Sequence, residues 1–180
     1  MKRYAALQFI VISLFLTACS SAAQEPLWEA LRLRSSELKQ QGEYPAAIDI
    51  ARQSLDAAVR LYGSSHKNVA VSLDDIASLY ELQGDFAQAE YYLRRALAVR
   101  ALAIGHDAIN KEYYAVYLSL KKLGDLYTGQ KRYKEAEPVL LRALAVEENI
   151  LGKYSPELIG DLRALAALYT SQGRTDKTEE

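Results

Sequence analysis

Apolar residues in this chain return in steps of three and four. Leu73, Ile76, Ala77 and Tyr80 form one such run, Leu120, Leu123, Gly124 and Tyr127 a second, and Leu162, Leu165, Ala166 and Tyr169 a third. Behind the first two, past a polar gap, come Phe86, Ala89, Leu93, Ala96 and Leu97, then Tyr133, Ala136, Leu140, Ala143 and Leu144. A step of this size puts each set on one face of an α-helix and leaves the other face polar. The pattern predicts pairs of antiparallel helices that bury their apolar stripes against one another.

The gaps repeat as well. Gln41-Gly42-Glu43-Tyr44, Gln83-Gly84-Asp85-Phe86, Gln130-Lys131-Arg132-Tyr133 and Gln172-Gly173-Arg174-Thr175 align, and their glutamines stand 42, 47 and 42 residues apart. Gly42 and Gly84 let the chain reverse between helices, since glycine alone enters left-handed backbone without strain. Ala77, Gly124, Ala89 and Ala136 permit close helix approach, and Tyr80, Tyr127 and Phe86 are expected to fill the wider gaps.

This self-similarity resembles the tetratricopeptide repeat, a helix–turn–helix unit of about 34 residues. The longer period, with the connecting stretches Leu61–Ala70 and Leu151–Leu158, is similar to the kinesin-light-chain type. The resemblance covers residues 27–173 and implies an all-α, right-handed α-solenoid of about three and a half repeats. Eight added residues lengthen each second helix by about 12 Å. Ser155-Pro156-Glu157 reads as an N-cap, a proline at the first helical position and an acidic first turn. The first repeat departs from the pattern: Arg34 and Ser35 replace an apolar/small pair, and Ser54 replaces the later alanine. The join between the second and third repeats carries five extra residues, within which Asn110 is placed to cap an early helix start. The fourth repeat ends after its first helix, and residues 174–180 form a polar tail.

The N-terminus reads as an address. Met1-Lys2-Arg3-Tyr4 is a positive leader, and Ala5–Leu16 carries no charge. That core is too short to span a bilayer of about 30 Å as a helix, and it suits a signal peptide. Leu16-Thr17-Ala18-Cys19 resembles a bacterial lipobox. The resemblance implies a cleaved lipoprotein signal peptide at residues 1–18, then a diacylglyceryl and acyl lipid on Cys19, with residues 19–26 as a short linker. Ser20, where aspartate would retain an enterobacterial lipoprotein at the inner membrane, favours the outer membrane facing the periplasm. A single cysteine suits an oxidising compartment.

Composition narrows the chemistry. Of 180 residues, 50% are hydrophobic and 25% charged, as in ordinary globular proteins. A net charge of −1 lacks the basic excess of a nucleic-acid binder. Two histidines and one cysteine are too few for a His/Cys metal cage or a disulfide framework. No metal, catalytic residue or dissociable cofactor is expected. His66 matches a position that is structural in the resembled family, and His106 lies in another connecting loop. The carboxylate pairs Asp74-Asp75 and Glu147-Glu148 read as solvated helix positions.

The resemblance places the first helix of each repeat along a concave groove. By repeat phase the fifth position falls at Arg32, Asp74, Lys121 and Arg163. The ninth falls at Ser36, Ser78, Asp125 and Ala167, and the twelfth at Lys39, Glu81, Thr128 and Thr170. These form a mixed-charge surface suited to an extended peptide or partner helix. They do not match the Lys/Asn clamp by which chaperone-binding relatives grip a C-terminal carboxylate. Tyr113, Tyr114 and Tyr117 are a second candidate contact, because tyrosine combines an apolar body with a polar tip. The last helix, with Leu165 and Leu168, is expected to leave an uncovered apolar face, a site for a partner or a second copy.

The expected function is therefore protein–protein interaction: a lipid-anchored adaptor or assembly factor for other envelope proteins. The alternative is a stable structural subunit of an outer-membrane, pilus or secretion assembly, held through its C-terminal apolar face.

Overall fold

In the computed structural model, the residues described are 27–103 and 111–174. Helix α1 covers 27–40, followed by α2 (Tyr44–Tyr62), α3 (Lys67–Gln83), α4 (Phe86–Ala103), α5 (Lys111–Gly129), α6 (Tyr133–Leu151) and α7 (Ile159–Ser171). A 3₁₀ turn, Pro156–Leu158, leads into α7. The signal peptide, Cys19, the linker, His106, Asn110 and the tail beyond Arg174 lie outside the described residues.

The helices stack as antiparallel pairs, α1 with α2, α3 with α4 and α5 with α6, and α7 opens a fourth unit. The architecture is the expected all-α, right-handed solenoid. Small residues set the spacing: Ala47, Ala51, Ala77, Ala89, Ala96, Ala136 and Ala143 are all buried. A Cβ on Gly124 would lie 2.7 Å from Leu140 Cγ, so α5 and α6 meet where only glycine fits. Tyr80 and Tyr127 are buried as expected, whereas Phe86 is exposed at the head of α4. Phe86 stands directly after the turn, at the first position of α4.

The reversals behave as the turn residues require. Gly42 and Gly84 adopt φ of 79° and 83°, in the region that glycine alone enters freely. Gly84 N–H bonds back to Glu81 and Tyr80 carbonyls, closing α3. Lys131 takes a φ of 59° at the third reversal in place of glycine. His66 is structural: its Nδ1 accepts from Asn68 N–H at 3.2 Å, capping α3, and its ring stacks on Tyr62 at 4.6 Å. Ser155 does not cap the backbone; its hydroxyl bonds the Glu157 carboxylate.

Turn arginines lock the third and fourth units each to the one before. Arg132 Nη1 donates to Glu90 on α4 at 2.6 Å, and its guanidinium lies 4.5 Å from the Tyr127 ring. One repeat later Arg174 Nη1 donates to Glu137 on α6 at 2.7 Å and lies 4.9 Å from the Tyr169 ring. The recurring glutamines hold both arginines: Arg132 Nη1 donates to Gln130 Oε1 and Arg174 Nη1 to Gln172 Oε1. At the corresponding place after Gln83 stands Asp85, which instead accepts from Gln88 N–H and starts α4.

Two carboxylates expected in solvent are inside. Asp74 has 12% of its side chain exposed and pairs with Arg100 of α4 at 2.7 Å. Arg100 reaches on to Ser119 of α5. Glu147 of α6 is 6% exposed. Both sit where one helix pair meets the next, a place that counting along a single helix does not reveal.

Candidate functional site

The first helices, α1, α3, α5 and α7, supply the surface that the repeat phase assigns to a groove. Its first part is built by α1 and α3 over a floor from α2. Between them lies a cavity of about 130 Å³ lined by Arg32, Ser35, Ser36, Lys39, Ala51, Ser54, Ser72, Asp75, Ser78 and Leu79. Four of the residues predicted for the groove, Arg32, Ser36, Lys39 and Ser78, come together here.

Asp74 does not join them. Its neighbour Asp75 takes that place and accepts from Arg32 Nε at 2.8 Å. One residue along a helix is about 100° of rotation, which carries Asp74 into the junction and Asp75 to the groove. Arg32 also lies 5.1 Å from the Trp28 ring, and Trp28 Nε1 donates to Ser72 Oγ at 2.9 Å. Lys39 Nζ donates to Ser78 Oγ at 3.1 Å, and Ser78 Oγ donates to the Asp75 carbonyl at 2.9 Å. Arg32 and Lys39 are thus oriented by partners on α3 while remaining partly exposed.

The serines arise from the departures of the first repeat. Ser35 is buried and donates to the Ala47 carbonyl at 2.9 Å. Ser54 is 1% exposed, and its Oγ has no hydrogen-bond partner. The later repeats carry alanine at that position, Ala96 and Ala143.

The second part of the surface is organised differently. Lys121 of α5 donates to Asp161 of α7 at 2.5 Å, and Tyr117 Oη donates to the same oxygen at 3.3 Å. Asp161 Oδ2 and Glu147 Oε2 are buried without a partner. Burial pushes the Glu147 carboxyl above the ordinary carboxylate range, and neighbouring Asp161 adds to it. The buried Tyr117 hydroxyl is pushed upward by burial and by the same two carboxylates. Lys121 therefore ties two repeats together. Asp125, Glu81 and Arg163 are exposed, and remain available on the surface. Thr128 and Thr170 bond back to their own helices, at Gly124 and Ala166.

The tyrosine cluster divides. Tyr117 is 6% exposed and belongs to the core, while Tyr113 and Tyr114 are 41% and 48% exposed. The last helix also corrects its prediction. Leu165 and Leu168 are buried and belong to the main hydrophobic core. Ile159 and Leu162 are the exposed apolar residues of α7. Among the described residues no helix is long and apolar enough to cross a membrane.

A family model described as tetratricopeptide repeat matches residues 30–101 and 114–180. Among solved structures, the chain is similar to nearly identical kinesin-light-chain TPR-like repeats from Podosopora anserina, at 18% identity and a TM-score of 0.65, covering 83% of this chain and 69% of that one. It is also similar to BtubC (BKLC) from P. vanneervenii, at 22% identity and a TM-score of 0.72, covering 87% of this chain and 60% of that one. No curated protein matches the chain.

Proposed function

Since the chain belongs to the tetratricopeptide-repeat family, whose members bind protein partners, we propose that it is an envelope adaptor that holds a partner segment along its α1/α3/α5/α7 groove. The fold itself is a scaffold for protein–protein interaction. The observation that carries the finer reading is the α1–α3 cavity, where Arg32 and Lys39 are held in place by Asp75 and Ser78 yet keep contact with solvent. Preorganised cations at a cleft cost little further ordering when a partner binds.

The address sequence supports a lipid anchor on Cys19, which would hold the solenoid at the periplasmic face of the outer membrane. Two or three acyl chains, at about 0.8 kcal/mol per buried CH₂, give a stable attachment. The only group this reading requires beyond the polypeptide is that covalent lipid. The mixed charges and the overall balance suit proteins or peptides as partners, not nucleic acid, and the groove needs no catalytic residue.

A second reading, a stable structural subunit or homo-oligomer, draws on Ile159 and Leu162, about half exposed on α7.

The two readings separate by co-purification from cross-linked cells. The groove variant is Lys39→Glu with Arg163→Glu, both at residues outside the buried junctions. Loss of partners in this variant, with helicity retained, supports the adaptor. Partners kept by it and lost in Leu162→Glu would replace the adaptor with the structural subunit.

A further inference from the structure

The serine-lined cavity between α1 and α3 has a composition that selects its occupant. We infer that it receives the side-chain carboxylate of an acidic residue in an extended partner segment; this rests on the groove reading above. The cavity, at about 130 Å³, holds a side-chain-sized group such as a carboxylate with its methylenes, and not a whole helix; its polar lining, not its volume, selects the carboxylate.

Its polar groups are weighted toward donors. Ser54 Oγ is buried with nothing to bond. Ser72 Oγ accepts from Trp28 Nε1, so its own proton is left to donate. Lys39 spends one donor on Ser78, and Arg32 spends its Nε–H on Asp75. An ammonium carries three donors and a guanidinium five. Against these stands one wall carboxylate, Asp75, which neutralises one of the two cations. The remaining charge is a single positive one, matched by one carboxylate.

The position of Ser54 argues that the cavity is more than a packing gap. Ala96 and Ala143 fill the same repeat position, and an alanine there would spare a buried hydroxyl whose hydrogen bond is costly to leave unmade. Ser54 lines a cavity edged by cations, where an entering acceptor can take up its hydroxyl proton. Charge-assisted bonds of this kind are roughly twice as strong as neutral ones, so the amide analogue of the occupant is rejected.

The test uses the ¹⁵N-labelled full chain in detergent micelles and three probes. These are acetyl-Gly-Gly-Glu-Gly-Gly-amide, the same peptide with Gln for Glu, and acetyl-pentaglycine with a free C-terminus. The Glu peptide should shift the amides of Ser35, Ser54 and Ser72 saturably, and at least about tenfold more tightly than the Gln peptide. Lys39→Met should weaken it by about fivefold or more, and Ser54→Ala, a substitution the later repeats already carry, should weaken it too. Equal response to Glu and Gln peptides, shifts elsewhere only, or insensitivity to Lys39→Met would overturn the inference. So would preference for the free C-terminus, which assigns the cavity to a terminal carboxylate. Failure here, with partner loss still caused by the groove charge reversals, discards the cavity and keeps the adaptor; partners indifferent to those reversals discard the adaptor itself.

Discussion

Lys121 donates to Asp161 at 2.5 Å across the junction between the third and fourth units, from the repeat position that Asp74 fills one unit earlier. The correspondence extends to the whole junction. Asp74, Arg100 and Ser119 meet between the second and third units; Lys121, Glu147 and Asp161 stand at the matching positions between the third and fourth. The sign of charge inverts at the first two positions. A buried acid faced by a base gives way to a half-buried base faced by buried acids. Each junction is thereby keyed to its own neighbours, so the repeats are not interchangeable.

Arg100→Met should be strongly destabilising, by about 3–5 kcal/mol, because it leaves the buried Asp74 with only the distant Lys122 Nζ, at 3.9 Å, as a counter-charge. Arg32→Met removes an ion pair whose side chains are 35% and 41% exposed, and should cost about 1 kcal/mol or less. Urea midpoints followed by far-ultraviolet circular dichroism rank the two. Equal midpoints would refute the burial argument.

The junction around Glu147 predicts an unusual pH dependence. Its carboxyl is raised in the folded state, mainly by burial, so the folded protein holds that proton more tightly than the unfolded chain. The penalty of ionising it is absent below the ordinary carboxylate value, and grows as pH rises through the window up to the raised one. Glu147→Gln should therefore stabilise the protein most at pH of about 8 and least at about 4. Glu90 works in the opposite sense. Burial alone would raise it, yet hydrogen bonds from Arg132 and Tyr127 outweigh burial and hold it low. Its stabilisation is present above the ordinary carboxylate value and is lost as pH falls through the depressed one. Urea midpoints from pH of about 8 down to about 2 for wild type, Glu147→Gln and Glu90→Gln resolve the two slopes, that of Glu147 above the ordinary carboxylate value and that of Glu90 below it; a Glu147→Gln gain independent of pH would contradict the assignment.

Gly124→Ala should cost about 1–3 kcal/mol, since the new methyl meets Leu140. Gly160→Ala, in α7 with open space around it, should be neutral or gain about 0.5–1 kcal/mol from helix propensity. Thermal midpoints of the two variants provide the check.

If Cys19 carries the anchor, Cys19→Ala should move the protein from the membrane pellet to the soluble fraction after cell lysis. An unchanged pellet would remove the lipid from the account.

The solenoid was legible in the sequence because its causes are local. The recurring apolar steps, Gly42, Gly84 and the small residues at helix crossings each act within one helix pair. The junctions were not legible, because their partners are separated by 19 to 40 residues and lie on different helices. Asp74 and Asp75 are adjacent in sequence with nothing to say which turns inward; Arg100 on α4 decides it. The Gln130–Arg132 and Gln172–Arg174 spacing was visible as a repeat, but its role required Glu90 and Glu137, 47 residues apart. At the last helix, phase alone could not separate Leu165 and Leu168, which face inward, from Ile159 and Leu162, which do not. Of the residues that phase assigns to the groove, Arg32, Ser36, Lys39 and Ser78 meet at one cavity, whereas Asp74 and Lys121 are claimed by the junctions.

Site-specific photo-crosslinking in living cells reveals which face of the solenoid holds the partner. A photoreactive residue is placed at Ser36 in the groove, at Arg142 on the exposed side of α6, and at Leu162 on α7. Partner adducts from Ser36, absent from Arg142 and Leu162, are the predicted result. Adducts from Arg142 or Leu162 with none from Ser36 would contradict it.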